Sequence, residues 1–246
     1  MSAEYGYKGL ELELFESAKN WKRYLVRAVR PYLKGHVLEV GAGIGGFTKA
    51  VWSKNVPGEN ARIQIDSWLC LEPDAKLTAT IQDDIDYGLL PEICTAKVGT
   101  LDSLSGHQTF DTILYIDVLE HIKDDRAEMA NSVAQLTPGG KLIVLVPAHE
   151  WLFSELDRVV GHHRRYTADS LVSLTPPHMR LVSCCYYDCI GIAASLANRL
   201  LLRQGVPTPA QISVWDRFMV PLSRRIDPLI GHRFGKSVLA IWEKET

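Results

Sequence analysis

Cysteine is scarce in this chain and poorly spaced for bridging: Cys70, Cys94, Cys184, Cys185 and Cys189 are odd in number and contain no C-x-x-C pair. That excludes a disulfide framework and a cysteine-ligated zinc centre, and it reads as reduced, buried thiols of a cytoplasmic protein. An excess of either charge is lacking too. Lys and Arg number 27 against 29 Asp and Glu, a net −2, so no basic field points to nucleic acid or to an acidic membrane. Long apolar runs are missing: the longest, Ile190 to Leu202, contains Asn198 and Arg199 and is too short to span a bilayer. Met1 to Gly9 is polar and tyrosine-rich, without the apolar core of a secretory leader. Neither a repeat nor a low-complexity tract is present.

What is there is an ordinary globular composition, 46% hydrophobic and 23% charged over 246 residues. Its organising stretch is Val37-Leu38-Glu39-Val40-Gly41-Ala42-Gly43-Ile44-Gly45-Gly46-Phe47-Thr48. An apolar run ends in glycines and a helical pattern follows, so a buried strand feeds a tight turn that a ligand can approach closely. Gly41, Gly43 and Gly46 spell G-x-G-x-x-G, which fits a dinucleotide as well as S-adenosylmethionine (SAM). Glu39 tips the choice, because a carboxylate aimed into the turn repels a pyrophosphate and attracts the amino group of a methionine moiety. The plainer alternative is a strand-end charge facing solvent.

The rest of the chain alternates strands and helices. Leu10 to Val29 reads as one helix before Pro31, preceded by Tyr5-Gly6-Tyr7, either a lid or a frayed end. Gly45 to Lys54 is the helix after the turn, and Ser67 to Glu72 the second strand, ending in an acid where a ribose presents two hydroxyls. Pro73 and Asp74 break it. Ala96 to Gly99 is a third strand, with Thr100, Leu101 and Asp102 at its carboxyl end, placed for an adenine unless Asp102 only caps the turn. Phe110 to Asp117 is the fourth strand, leading into Val118 and His121. Asp124 is an N-cap for a helix over 126–136, Thr137-Pro138-Gly139-Gly140 a hard turn, and Lys141 to Pro147 the fifth strand. Leu181–Tyr187 and Ser237–Trp242 are late strands. The alternation predicts a parallel, doubly wound sheet.

Together VLEVGAGIGGFT, LEPDA, FDTILYIDVLEHI and LTPGGKLIVLVP resemble, in order, the motifs of the class I SAM-dependent methyltransferases, over roughly residues 10–150 and the last strand. The resemblance implies an α/β, Rossmann-like seven-stranded sheet with the last strand antiparallel, SAM as cofactor and no metal. It implies one domain over 1–246: a cofactor core at 31–147, an N-terminal lid and helix at 1–30, and a substrate-side elaboration at 148–236. Carried over, Glu39, Gly41, Ala42, Gly43, Glu72, Pro73, Thr100, Leu101, Asp102, Asp117 and Val118 fall on cofactor positions. Asn20 and Trp21 fall where some members touch the methionine end.

A second block, Pro147 to Asp157 running into Gly161-His162-His163-Arg164-Arg165-Tyr166-Thr167, resembles a subgroup acting on small molecules and glycans. It predicts an acceptor site with Trp151 and Phe153 as an aromatic wall, and Asp157, His162, Arg164 and Tyr166 as polar contacts. Tyr7 and Trp215 join that substrate set, and His162, then His121, is the candidate base. The plainer alternative pairs Arg164 and Arg165 with surface acids, buries His162 and makes Thr167 a helix cap. His149, His162 and His163 lack recognisable ligand spacing, so metal is set aside. The opening and length resemble azapteridine-modifying enzymes, implying N-methylation of a small heterocycle, at one nitrogen or more. A sugar or glycan O-methyltransferase is the runner-up and an oxidoreductase a distant third. A non-catalytic SAM-binding module tethered to membrane through the amphipathic 212–230 is a further alternative to a helix covering the substrate side. Without a basic stripe or an Asn-Pro-Pro-Tyr type motif, nucleic acid is not an expected partner.

Overall fold

Apolar runs bounded by glycine, proline or aspartate become strands: β1 (Gly35–Val40), β2 (Ile65–Glu72), β3 (Cys94–Val98), β4 (Phe110–Ile116), β5 (Leu136–Pro147), β6 (Met179–Tyr187) and β7 (Ser237–Lys244). The computed structural model describes residues 11–53, 64–104, 108–197 and 206–246. The tyrosine arm, with candidate contact Tyr7, lies outside those residues, as does the end of the Ile190–Leu202 run. The strands form one seven-stranded sheet ordered β3-β2-β1-β4-β5-β7-β6. β1 pairs in parallel with β2 and β4, and the outer pairs β2–β3 and β4–β5 are parallel as well. β7 runs antiparallel to both β5 and β6, as the family resemblance implied. Strand order reverses between β1 and β4, where an open α/β sheet leaves a crevice at its carboxyl edge.

Helices flank the sheet: α1 (Glu11–Glu16), α2 (Lys19–Val29), α3 (Gly46–Val51), α4 (Ala75–Asp86), α5 (Asp125–Ala134), α6 (Glu155–Val160), α7 (Ala168–Val172), α8 (Cys189–Ala197), α9 (Pro209–Val214) and α10 (Val220–Leu229). Successive strand residues point to opposite faces, and two core layers result. Val37, Trp68, Leu114 and Ile143 pack with Leu25, Val29 and Ile81 in one layer. Leu38, Leu71, Ile113 and Leu142 pack with Met129, Val133 and Leu171 in the other.

Three expectations need correction. The single helix over 10–29 is two, α1 and α2, because the backbone N–H groups of Asn20 and Trp21 are claimed by the Asp216 carboxylate (3.1 and 2.8 Å). That carboxylate caps α2 from the far end of the chain. Thr137-Pro138-Gly139-Gly140 does not stand outside the sheet. It lies within β5 as a bulge, the register stepping from Phe110↔Leu136 to Thr112↔Lys141 with Gly139 at φ +74°.

The C-terminal stripe Trp215, Phe218, Met219, Leu222, Ile226, Leu229 is not one buried face. A π-helical segment, Trp215–Met219, joins α9 to α10 and shifts their phase. Ile212, Trp215 and Val220 face the core, while Phe218, Leu222 and Leu229 are exposed. Buried carboxylates fix this cover in place. Asp227 accepts from Tyr24 Oη (2.9 Å) and the N–H of Asp188 (2.8 Å), and Asp188 accepts from Trp215 Nε1 (2.7 Å) and Ser223 Oγ (2.6 Å). Among the described residues no helix is long and apolar enough to cross a membrane.

Candidate active site at the strand carboxyl ends

The glycine turn is shaped by backbone that side chains resist. Gly41, Gly43 and Gly45 have φ of +66°, +58° and +72°. The N–H groups of Gly41 and Ala42 both donate to the Leu71 carbonyl (2.7 and 3.1 Å), folding the turn against the end of β2. Glu72 completes the staple. It accepts from Gly43 N–H (2.9 Å) on one oxygen and from Asp74 N–H (3.0 Å) on the other, and burial pushes its pKa up. Glu39 lies in the layer below. Its Oε2 accepts from Thr48 Oγ1 and from Trp68 Nε1 (3.1 Å), and burial pushes its carboxyl up to about 7. A Cβ at Gly41 would sit 2.7 Å from a methyl of Val118. Gly41→Ala is therefore expected to lose about 1–3 kcal/mol of stability from the left-handed backbone alone, and to abolish cofactor binding. Thermal denaturation and S-adenosylhomocysteine (SAH) titration measure the two effects.

Across the crevice, Asp117 follows β4, with φ +55° and an exposed side chain. A 3₁₀ turn, Leu119–His121, follows. Glu120 is fully buried there, pushed well above the usual carboxylate range by burial and by the charge of Asp117. Burial pushes His121 down to about 4, with His162 and His163 adding to the effect. The rings of His121 and His162 meet edge to face, 4.6 Å apart. At the end of β3, Thr100 and Asp102 are exposed, but Leu101 is 1% exposed, a core residue presenting no surface to a ring.

The Gly161 to Thr167 block is stitched along the end of β5 by Tyr166 N–H to Pro147 O (3.0 Å) and His149 N–H to Tyr166 O (2.7 Å). Asp157 is its hub, reached by His162 Nδ1 (2.8 Å) and by Arg165 Nε and Nη2 (2.8 and 2.9 Å). Arg164, expected at the acceptor, instead pairs with Asp125 and donates to the Lys123 carbonyl (2.7 Å). Tyr166 is buried and its hydroxyl donates to the same Asp125 (2.8 Å). Both brace the block on Asp125; the plainer reading had paired Arg164 with an acid, and Thr167 does cap α7. Trp151 is 46% exposed beside His149, and Arg158 lies over Phe153. Trp215 is buried, its ring on Trp21 and its indole N–H held by Asp188. Asn20 spends its side-chain amide on Asp216 (3.1 Å).

A methyltransferase domain family matches residues 15–183. The chain belongs to that family. It is a SAM-dependent methyltransferase with the class I sheet. No curated protein matches it. Solved structures share the fold at low identity. A putative methyltransferase from Haloferax volcanii, in complex with the Trm112 activator, has a TM-score of 0.61 at 12% identity and covers 98% of both chains. The N-methyltransferase NodS from Bradyrhizobium japonicum, in complex with SAH, gives 0.57 at 13%, covering 98% of this chain and 94% of its own. Coclaurine N-methyltransferase, bound to N-methylheliamine and SAH, gives 0.58 at 13%, covering 91% and 71%.

Three groups of the methyltransferase escaped the sequence reading. Arg165 rather than its neighbour turns inward. Glu120 is buried among charges. Lys236, just before β7, holds its ammonium 4.6 Å over the Trp215 ring, and burial pushes its pKa down. The VLEH string flagged Val118 and His121 but gave no sign that the acid between them points inward. Nothing in the sequence marks Lys236.

Proposed function

We propose that this methyltransferase moves a methyl group from SAM to a nitrogen of a small heterocycle held beside Asp117 and His162. When bound, SAM supplies a methyl group already activated on a sulfonium. The residues fit it: Gly41, Ala42 and Gly43 keep the turn free of bulky side chains, Glu72 and Pro73 at the end of β2 would meet the ribose, and Thr100, Asp102, Asp117 and Val118 follow the carboxyl ends of β3 and β4. Leu101, Asn20 and Trp21 then support it only through packing and backbone.

The observation that carries the reading is His162. Its Nδ1 is fixed by Asp157, at the strand ends where donor and acceptor meet. So held, His162 orients the acceptor and takes its proton, with His121 beside it. Trp151 and Phe153 wall the acceptor side. The N-methyltransferases among the structural neighbours support nitrogen over oxygen. The azapteridine precursor of toxoflavin biosynthesis is the specific acceptor to try first, on sequence resemblance alone. A sugar hydroxyl is the second reading, favoured by the Asp157–His162 pair, because a hydroxyl needs more help from a base than a ring nitrogen does.

Mass spectrometry of reactions given SAM with a demethylated azapteridine, or with a panel of sugar nucleotides, decides between them. Methyl addition to the azapteridine alone supports the leading reading, and addition to a sugar replaces it. With the productive acceptor, His162→Ala is expected to lower kcat by about a hundredfold or more at unchanged SAH affinity. An unchanged kcat removes His162 from the chemistry.

A further inference from the structure

Beside Asp117 the fold gathers Glu120, His121 and His162, each offering one ligand atom, all within 4.8 Å of one another. Two segments supply them, and His163 N–H to Glu120 O (2.8 Å) ties those segments together. Spacing alone had set metal aside, because it considered His149, His162 and His163. The histidine that joins His162 is His121.

Two independent features point to a ligand. Glu120 is 0% exposed, yet neither carboxylate oxygen has a hydrogen-bond partner, and His162 Nε2 stands 3.8 Å from one of them. A buried carboxylate left this way is costly unless something cationic sits against it. His162, for its part, donates or accepts at Nδ1 with Asp157 (2.8 Å), which leaves Nε2 turned toward Glu120. A carboxylate behind an imidazole, fixing its ring while the other nitrogen faces the centre, is the support that metal-bound histidines have. Arg165 and Ser154 in turn lock Asp157.

We propose that Glu120, His121 and His162 bind one divalent transition-metal ion. Two imidazoles and one carboxylate suit zinc or iron(II), whereas magnesium and calcium favour oxygen ligands. Three protein ligands leave a position open. His162 is partly exposed, so that position faces the crevice. Resting on the methyl-transfer reading, the open position takes an oxygen or nitrogen of the acceptor and aligns it. His162 and His121 then act as ligands rather than as a free base.

The test uses the full chain stripped with a chelator and titrated with Co²⁺, followed by its visible spectrum, with Zn²⁺ as competitor and SAH titrated separately. One Co²⁺ per chain is expected, displaced by Zn²⁺. Glu120→Gln and His121→Ala are each expected to weaken binding by at least about tenfold, with far-ultraviolet circular dichroism and SAH affinity retained. Absence of stoichiometric binding, or binding that neither variant changes, overturns the proposal. Protein that binds SAH but no metal loses the metal site alone. Protein that binds metal but not SAH keeps the metal site and loses the methyl-transfer reading.

Discussion

Asp157→Ala is expected to cost about 3–5 kcal/mol, a large share of the about 5–15 kcal/mol that stabilises an ordinary domain. Asp157 is 0% exposed and accepts five hydrogen bonds: from the Ser154 N–H and hydroxyl (both 2.8 Å), His162 Nδ1 (2.8 Å), and Arg165 Nε and Nη2 (2.8 and 2.9 Å). Alanine leaves the Arg165 guanidinium, 8% exposed, without its carboxylate and removes the N3 half of the capping box of α6, whose N-cap is Ser154. An uncompensated buried charge is far more costly than a lost surface pair. The internal control is two residues away. Glu155 pairs with Arg158 at 3.1 Å, but both side chains are more than half exposed, and such pairs contribute about 0–1 kcal/mol. Urea unfolding of Asp157→Ala beside Glu155→Ala reads the difference directly. Equal midpoints would show that the Asp157 network does not hold the 150–166 segment in place.

That network also shows where sequence reading stops. The sheet was legible because its information is local: apolar runs closed by glycine or proline, a G-x-G turn after β1, an acid ending β2. The same holds for Asp124 and Thr167, which cap the helices that immediately follow them. Choices settled by distant partners were not legible. Arg164 and Arg165 are adjacent and chemically alike, and only the fold sends one to Asp125 and the other to Asp157. The break between α1 and α2 is made by Asp216, and no local residue at 17–18 announces it. A 3.6-residue period drawn through 212–229 fails because the π-helical segment rotates everything after it. For the site, the strand ends placed Glu72, Thr100, Asp102 and Asp117 at one edge, while the inward turn of Glu120 and the seating of Lys236 over Trp215 depend on the 3₁₀ turn and β7 packing where they do.

Glu39→Gln is expected to stabilise the protein at pH 8 and to weaken cofactor binding there. Burial pushes the folded-state pKa of Glu39 up to about 7, against the opposing hydrogen bonds of Thr48 and Trp68, while an unfolded glutamate titrates near about 4.3. Between those values the folded chain keeps a proton that the unfolded chain releases. The Glu39 contribution is therefore neutral below about pH 4, becomes unfavourable as pH rises, and reaches its full cost above about 7. The gap corresponds to an upper bound of about 3–4 kcal/mol, part of which glutamine recovers at pH 8 and none at pH 4. An acid this costly is accounted for if its negative charge is used by a ligand, and the turn above it is where the cationic amino group of SAM is proposed to lie. Binding that favours ionised Glu39 must strengthen as pH rises through 7. In the wild-type protein, SAH affinity is thus expected to climb between pH 6 and pH 8 while stability falls. In Glu39→Gln both dependences flatten. Calorimetric SAH titration and urea unfolding at the two pH values check this. If the variant is stabilised at pH 8 but its SAH affinity matches wild type, Glu39 is a buried strut below the turn and the amino group is held elsewhere.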